Sequence, residues 1–204
     1  MCFYSKLSKK AVELENRFKA KMDQANLFVP SDVINAFSFP ATPVITDEDP
    51  LKIQLYHWGL IPHWAKDSSI RKHTLNARIE TLNEKPAFKA ASQHRCLVIA
   101  DGFYEWQWLD AAGNKKQKFL LGIPDGGLFA FAGIYSQWTD TDSGELLSTY
   151  SIVTTEAHGL MAEIHNSKKR MPVILDPALE NDWLQGAPLA LFEQPSLQLK
   201  AEQV

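Results

Sequence analysis

Residues 95–109 read RCLVIADGFYEWQWL, an apolar run of β-branched and aromatic side chains with a single Asp-Gly interruption. Such composition marks strand. Three comparable segments follow: KKQKFLLGI at 115–123, GLFAFAGIYSQW at 127–138 and LLSTYSIVTT at 146–155. The turn-forming stretches DAAGN, PDGG and TDTDSGE separate them. Connections this short favour antiparallel neighbours, because a parallel crossover needs a dozen or more residues. The expectation is an antiparallel meander over about residues 96–155.

Outward from this centre the signals become helical. Residues 8–24 carry Ala11, Leu14, Phe18 and Met22 at spacings of three and four, which predicts an amphipathic helix. The proline-punctuated stretch from Pro30 to Pro50 reads as extended chain with turns, and IQLYHWGLIPHW at 53–64 as a strand running into a loop. Beyond the meander, TTEAHGLMAEIHN (154–166) predicts a helix capped by Thr155. DPALENDWL (176–184) predicts another, with Asp176 as N-cap and Pro177 at the first helical position. KRMPVIL between them reads as a strand that Pro172 confines to an edge or a strand start. The tail after Gly186 has weak signals and is expected to be loose. One α+β domain spanning residues 1–204 is the reading.

The chain has 204 residues, 45% of them hydrophobic and 22% charged, with a formal net charge of −3. That balance argues against a surface coated in basic residues for duplex DNA, although the local clusters SKLSKK, NKKQK and NSKKR leave room for a basic cleft. No apolar run approaches the ~20 residues that cross a bilayer, and no secretory leader is evident. A cytoplasmic protein with no membrane partner is expected. Two cysteines, Cys2 and Cys96, make no disulfide framework. Cys96, within RCLVIA, reads as core packing.

Four features could carry chemistry. Cys2 follows the initiator methionine, and loss of Met1 would leave an amine and a thiol on adjacent carbons, a pair that can close a ring on an aldehyde. An α-amine titrates near ~7.7–8.0 against ~10.4 for lysine, so far more of it is neutral and nucleophilic at physiological pH. Glu105 shares a strand face with Phe103 and Gln107; periodicity alone favours an exposed glutamate, whereas burial would raise its pKa and suit it to proton transfer. Asn76, Arg78 and Glu80 alternate in LNARIET, with Arg78 offering a fork for phosphate or an ion pair with glutamate. His165 stands at a helix end before the cations Lys168, Lys169 and Arg170. The six histidines show no ligand spacing with either cysteine, so neither a metal nor any cofactor is expected.

Taken in order, Met-Cys at the start, WGLIPHWAKD, NARIET, ADGFYEW, TTEAH and IHNSKKRMPVIL resemble the SOS-response-associated peptidase family over about residues 2–175. The resemblance implies a barrel-like, mainly antiparallel β core with flanking helices. It also implies a partner, single-stranded DNA containing abasic sites, bound by a monomer. In that reading Cys2 forms a thiazolidine with the opened sugar, Asn76 holds the Cys2 backbone, and Glu105 and His165 move protons. Arg78 and Arg170 would contact phosphate, with Thr154 and Thr155 in the same groove. Trp58 and Trp64 are candidates for stacking on flanking bases or for the core. Two alternatives remain: a cysteine-type peptidase using the same residues, and a non-catalytic single-strand binding module. Two departures stand out. Phe3 and Tyr4 occupy positions where the family often has Gly-Arg. Four residues, NSKK, separate His165 from Arg170 where one is usual.

Overall fold

The computed structural model describes residues 2–204, and the stretch 95–109 forms two strands rather than one. In chain order the elements begin with β1 (Tyr4–Leu7), α1 (Ala11–Phe18), β2 (Lys21–Met22), β3 (Ser31–Asn35), β4 (Ala41–Thr46) and β5 (Lys52–Trp58). Next come β6 (Asn76–Arg78), α2 (Pro86–Lys89), β7 (Arg95–Ala100), β8 (Gly102–Trp108), β9 (Lys116–Gly122), β10 (Phe129–Thr139) and β11 (Leu146–Glu156). The chain finishes with α3 (Gly159–Ile164), β12 (Arg170–Pro172), β13 (Ile174–Leu175), α4 (Glu180–Leu184) and β14 (Lys200–Gln203).

The larger sheet closes on itself. Its strands run β11-β10-β7-β4-β5, and β5 pairs back to β11 in parallel through Thr149↔His57 and Tyr150↔Trp58. A five-stranded barrel results, all other neighbours in the ring being antiparallel. Strands β4, β7 and β10 and the middle of β11 are buried on both faces. Val44, Tyr56, Cys96, Val98, Phe131, Tyr135 and Ile152 meet in one cluster, and contacts between non-adjacent strands place it inside the barrel. These are Tyr56 against Tyr135, with rings 5.7 Å apart, and the Tyr150–Thr42 hydroxyl pair at 2.7 Å. The alternate residues Ile45, Ile53, Leu97, Ala132 and Val153 face outward, where Leu14 of α1, Phe88 of α2 and Trp183 of α4 cover them. A strand buried on both faces reads as a continuous apolar run, which is why RCLVIA shows no alternation. The result is an α+β fold with a barrel core and flanking helices.

The expected meander is corrected at Asp101. There β7, a barrel strand between β4 and β10, ends, and β8 begins in a second sheet of order β14-β9-β8-β1-β3. The Asp101 carboxylate anchors the change of sheet: it accepts from the Ser8 backbone N–H at 2.9 Å, the Ser8 hydroxyl at 2.7 Å and the Lys6 ammonium at 3.1 Å. The hairpin neighbours are therefore β8–β9 and β10–β11, while β9 and β10 belong to different sheets.

Three further expectations change. The helix predicted over 8–24 stops at Phe18, because Lys19 enters the left-handed region (φ 54°), and Met22 packs from β2 instead. Thr155 lies buried in β11 rather than capping a helix, and the helix begins after His158. The tail after Gly186 is docked: Phe192 packs edge-on against Trp183 and β14 pairs with β9. The Asp176 cap stands, its carboxylate accepting from the Ala178 N–H at 2.9 Å. No helix among the described residues is long and apolar enough to cross a membrane.

Gly133 in β10 marks the tightest point of the barrel interior. A Cβ there would lie 2.7 Å from both Cys96 Sγ and Val98 Cγ2. Gly133→Ala is expected to destabilise the protein by about 1–3 kcal/mol through overpacking, read as a lower urea midpoint with an unchanged slope.

Candidate active site

Four side chains from distant parts of the chain converge where the second sheet meets the barrel. Cys2 precedes β1, whose antiparallel register with β8 pairs Tyr4 with Tyr104. Asn76 opens β6, which lies parallel to β11 with Asn76 opposite Ile152. Its amide nitrogen donates to the Cys2 carbonyl at 2.9 Å, across 74 residues of sequence. Glu105 lies on β8, and His165 follows the last turn of α3 with Nε2 3.8 Å from Glu105 Oε2.

All the titratable members of this group are buried. Cys2 is fully enclosed, and its thiol reaches the Tyr4 carbonyl at 3.8 Å. Desolvation pushes that thiol far up, and the Glu105 charge adds to the shift. Glu105 is only 3% exposed, and burial raises its carboxyl to about 7. Burial acts in the opposite direction on His165, whose pKa falls to about 4. The imidazole is therefore neutral at physiological pH. Its Nδ1 lies 2.7 Å from the Arg170 carbonyl and 3.0 Å from the Arg170 amide nitrogen. The Arg170 N–H donates toward Nδ1 while the Arg170 carbonyl lies closer still, so the two contacts call for opposite tautomers of the ring. Its Nε2 faces a carboxyl that titrates near neutrality. A carboxyl poised near neutrality beside a neutral imidazole is an arrangement suited to general acid–base chemistry.

The structure sorts the expected DNA contacts. Arg78 is exposed at the end of β6, and Trp64 is 51% exposed. Trp58 is corrected to a core residue: fully buried, it stacks on Tyr150 and donates its indole N–H to the Leu75 carbonyl at 2.8 Å. That bond fixes the residue immediately before Asn76. Thr154 and Thr155 are likewise buried, donating to the Ala77 and Glu193 carbonyls at 3.3 and 2.7 Å, which leaves neither hydroxyl for a ligand. Arg170 is engaged within the protein. Its guanidinium grips both Glu80 carboxylate oxygens at 2.7 and 2.9 Å and the Thr154 carbonyl at 2.8 Å. Glu80 thus pairs with Arg170 rather than sharing a strand face with Arg78, because the chain turns into a 3₁₀ helix at Ile79.

Sequence reasoning passed over two features. Phe37 is 49% exposed and packs on Phe3, the residue after Cys2, at 5.0 Å. Lys118 lies over the Tyr104 and Trp106 rings at 4.1 and 5.9 Å, giving the outer face of β8 and β9 an aromatic and cationic character. Strand alternation in GFYEWQW was the available signal for the second. Among the described residues no group of His, Cys, Asp and Glu is placed to hold a metal. Removal of Met1 concerns a residue outside those described.

The Glu105 shift has a thermodynamic consequence. A carboxyl with a pKa of 4.5 unfolded and about 7 folded binds an extra proton in the native state between those limits, so its contribution to stability falls as pH rises through that window. Glu105→Gln removes this loss. The stability of the variant relative to wild type is expected to improve from pH 4.5 to about 7, by up to about 1.4 kcal/mol per pH unit, in denaturant titrations at matched pH.

A family model described as SOS response associated peptidase (SRAP) matches residues 1–202. The abasic site processing protein YoqW of Bacillus subtilis is 44% identical over 142 residues, covering 69% of this chain and 61% of YoqW. The abasic site processing protein HMCES of mouse is 35% identical over 166 residues, covering 67% of this chain and 46% of HMCES. The chain thus spans about three fifths of the length of the bacterial relative and under half that of the mouse one. A crystal structure of a protein from Bacteroides thetaiotaomicron superposes with a TM-score of 0.91 at 34% identity, covering 100% of this chain and 92% of that one. With the barrel, the buried Cys2 and this near full-length match together, the chain belongs to the SOS response associated peptidase family.

Proposed function

We propose that this protein captures abasic sites in single-stranded DNA as a covalent thiazolidine on Cys2, after Met1 has been removed. The observation that carries the reading is the Asn76 bond to the Cys2 carbonyl, which holds residue 2 in the buried space shared with Glu105 and His165. Family membership and relatives named as abasic site processing proteins support it.

The chemistry follows from the protonation states. An abasic deoxyribose is mostly closed, and it opens to an aldehyde when one proton leaves its hydroxyl and another reaches the ring oxygen. Glu105, titrating near neutrality, and the neutral His165 can give and take a proton in that step. The Cys2 amine then adds to the aldehyde carbon, water departs, and a Schiff base forms. The thiol adds across the C=N bond, its proton passing to nitrogen, and the five-membered ring closes. The net reaction joins protein and DNA with loss of one water. Closure is intramolecular and strongly favoured by proximity. Because the second bond consumes the imine, the 3′-phosphate is not lost by elimination and the strand stays intact.

The high thiol pKa fits this order of events. A thiol kept protonated by burial does not compete with the amine for the aldehyde, and it resists oxidation while waiting. The same feature weighs against a cysteine peptidase, which activates its thiol as a thiolate beside an imidazolium. Here desolvation moves both groups the other way. Substrate choice would rest on shape, since a nucleotide lacking its base enters a space closed to an intact one. In this reading the exposed Trp64 and the Phe3–Phe37 pair would stack on flanking bases, and the exposed Arg78 would meet phosphate.

Incubation with an abasic single-stranded oligonucleotide, followed by a denaturing gel, tests the proposal. Wild type is expected to give a shifted band whose mass equals protein without Met1 plus DNA minus one water, and Cys2→Ala none of it. Glu105→Gln and His165→Ala should each slow the reaction about 10²-fold or more while still binding DNA. An unshifted wild-type band, or turnover of an unrelated peptide without DNA, would overturn the reading.

A further inference from the structure

The distance between Glu105 and His165 depends on how the loop after α3 is held against β8, and the structure gives that task to a particular side chain. Strand β8 outlasts one of its neighbours. On one edge β9 follows it from Phe103 to Trp108, but on the other β1 pairs only with Gly102, Phe103 and Tyr104. From Glu105 onward that second edge has no strand beside it among the described residues. The end of α3 and the loop after it fill the gap.

Two anchors do so, and they bracket His165 in sequence. The Gln107 side-chain amide donates to the Glu163 carbonyl at 3.0 Å. Asn166 makes a two-point contact: its Oδ1 accepts the Trp108 backbone N–H at 3.0 Å and its Nδ2 donates to the Trp108 carbonyl at 2.9 Å. A single side-chain amide thus satisfies both backbone groups of one strand residue, as a neighbouring strand would. The rest of the loop folds back on the histidine. Lys169, in the left-handed region at φ 48°, donates its N–H to the His165 carbonyl at 2.9 Å, and the next residue supplies the carbonyl that meets Nδ1. The imidazole is held by its own loop, and the loop is held to the carboxylate's strand by Asn166. The four residues between His165 and Arg170, an excess over the usual family spacing, form this buckle.

We propose that Asn166 is a positioning residue that sets the Glu105–His165 gap by clamping the 166–169 loop to the end of β8. The role rests on the function proposed above but is defined by geometry independent of it. Asn166 is exposed and its bonds are solvent-accessible, so they contribute little to global stability. Alignment of a proton-transfer pair is far less tolerant: misplacement by about an ångström can cost a rate ~100-fold.

The experiment compares wild type, Asn166→Ala and Asn166→Asp in three measurements. These are the single-turnover rate of adduct formation against pH, the affinity for an oligonucleotide carrying a tetrahydrofuran site with no aldehyde, and the His165 titration followed by NMR. Asn166→Ala is expected to slow adduct formation about tenfold with affinity and melting temperature unchanged, and to move the His165 titration up from about 4 toward its ordinary 6.5 as water reaches the ring. Asn166→Asp, which keeps the acceptor for the Trp108 N–H but loses the donor, should fall between the two. An unchanged rate together with an unchanged His165 titration would overturn the inference, as would a slower rate explained wholly by weaker binding. Should wild type form no adduct, the function fails by itself, and the His165 titration still decides the clamp.

Discussion

Burying Glu105 is the constraint around which the site is organised. A carboxylate removed from water must be paired, hydrogen-bonded or protonated, because the solvation it gives up is otherwise unrecovered. Here the outcome is a carboxyl poised near neutrality next to an imidazole that has been pushed below its normal range. The two shifts share their largest cause, the loss of solvent, and have opposite signs because the charged forms differ. Together they set a carboxyl that titrates near neutrality beside a neutral imidazole in a buried space.

Much of the surrounding architecture keeps that space closed and its members aligned. The parallel β5–β11 pairing closes the barrel, and β11 in turn receives β6, which brings Asn76 to Cys2. The Trp58 indole fixes Leu75, the residue before Asn76. Arg170 joins β12 to Glu80 and Thr154, while its own peptide group orients His165. These bonds involve residues whose chemistry suggests DNA contact, yet their groups are committed within the protein. Arg78 and Trp64 stay outward, as does Phe37, which packs on Phe3 next to Cys2. The departure from Gly-Arg at positions 3 and 4 thus puts an aromatic step next to Cys2. The longer loop after His165 is taken up by the Asn166 clamp.

The legibility of the chain differed by level. Strands whose composition is apolar throughout were visible because burial on both faces leaves no other pattern, and the Asp-Pro start before α4 was visible because capping is local. The change of sheet at Asp101 was not, since RCLVIADGFYEWQWL satisfies strand propensity throughout and only distant Lys6 and Ser8 make the break. The docked tail escaped notice for the same reason: Phe192 and β14 are ordered by contacts with Trp183 and β9 rather than by their own sequence.

By itself the sequence determined the chemical inventory. It named a thiol next to a potential free amine, a glutamate among aromatics, an asparagine and a histidine, in an order that resembles one family. Those are covalent and local properties, so they can be read from the string. Which glutamate is dry, which histidine is neutral, and which arginine and tryptophan are already committed were decided only in three dimensions. Desolvation, charge proximity and hydrogen-bond satisfaction depend on atoms scores of residues apart, and no periodicity along the chain encodes them.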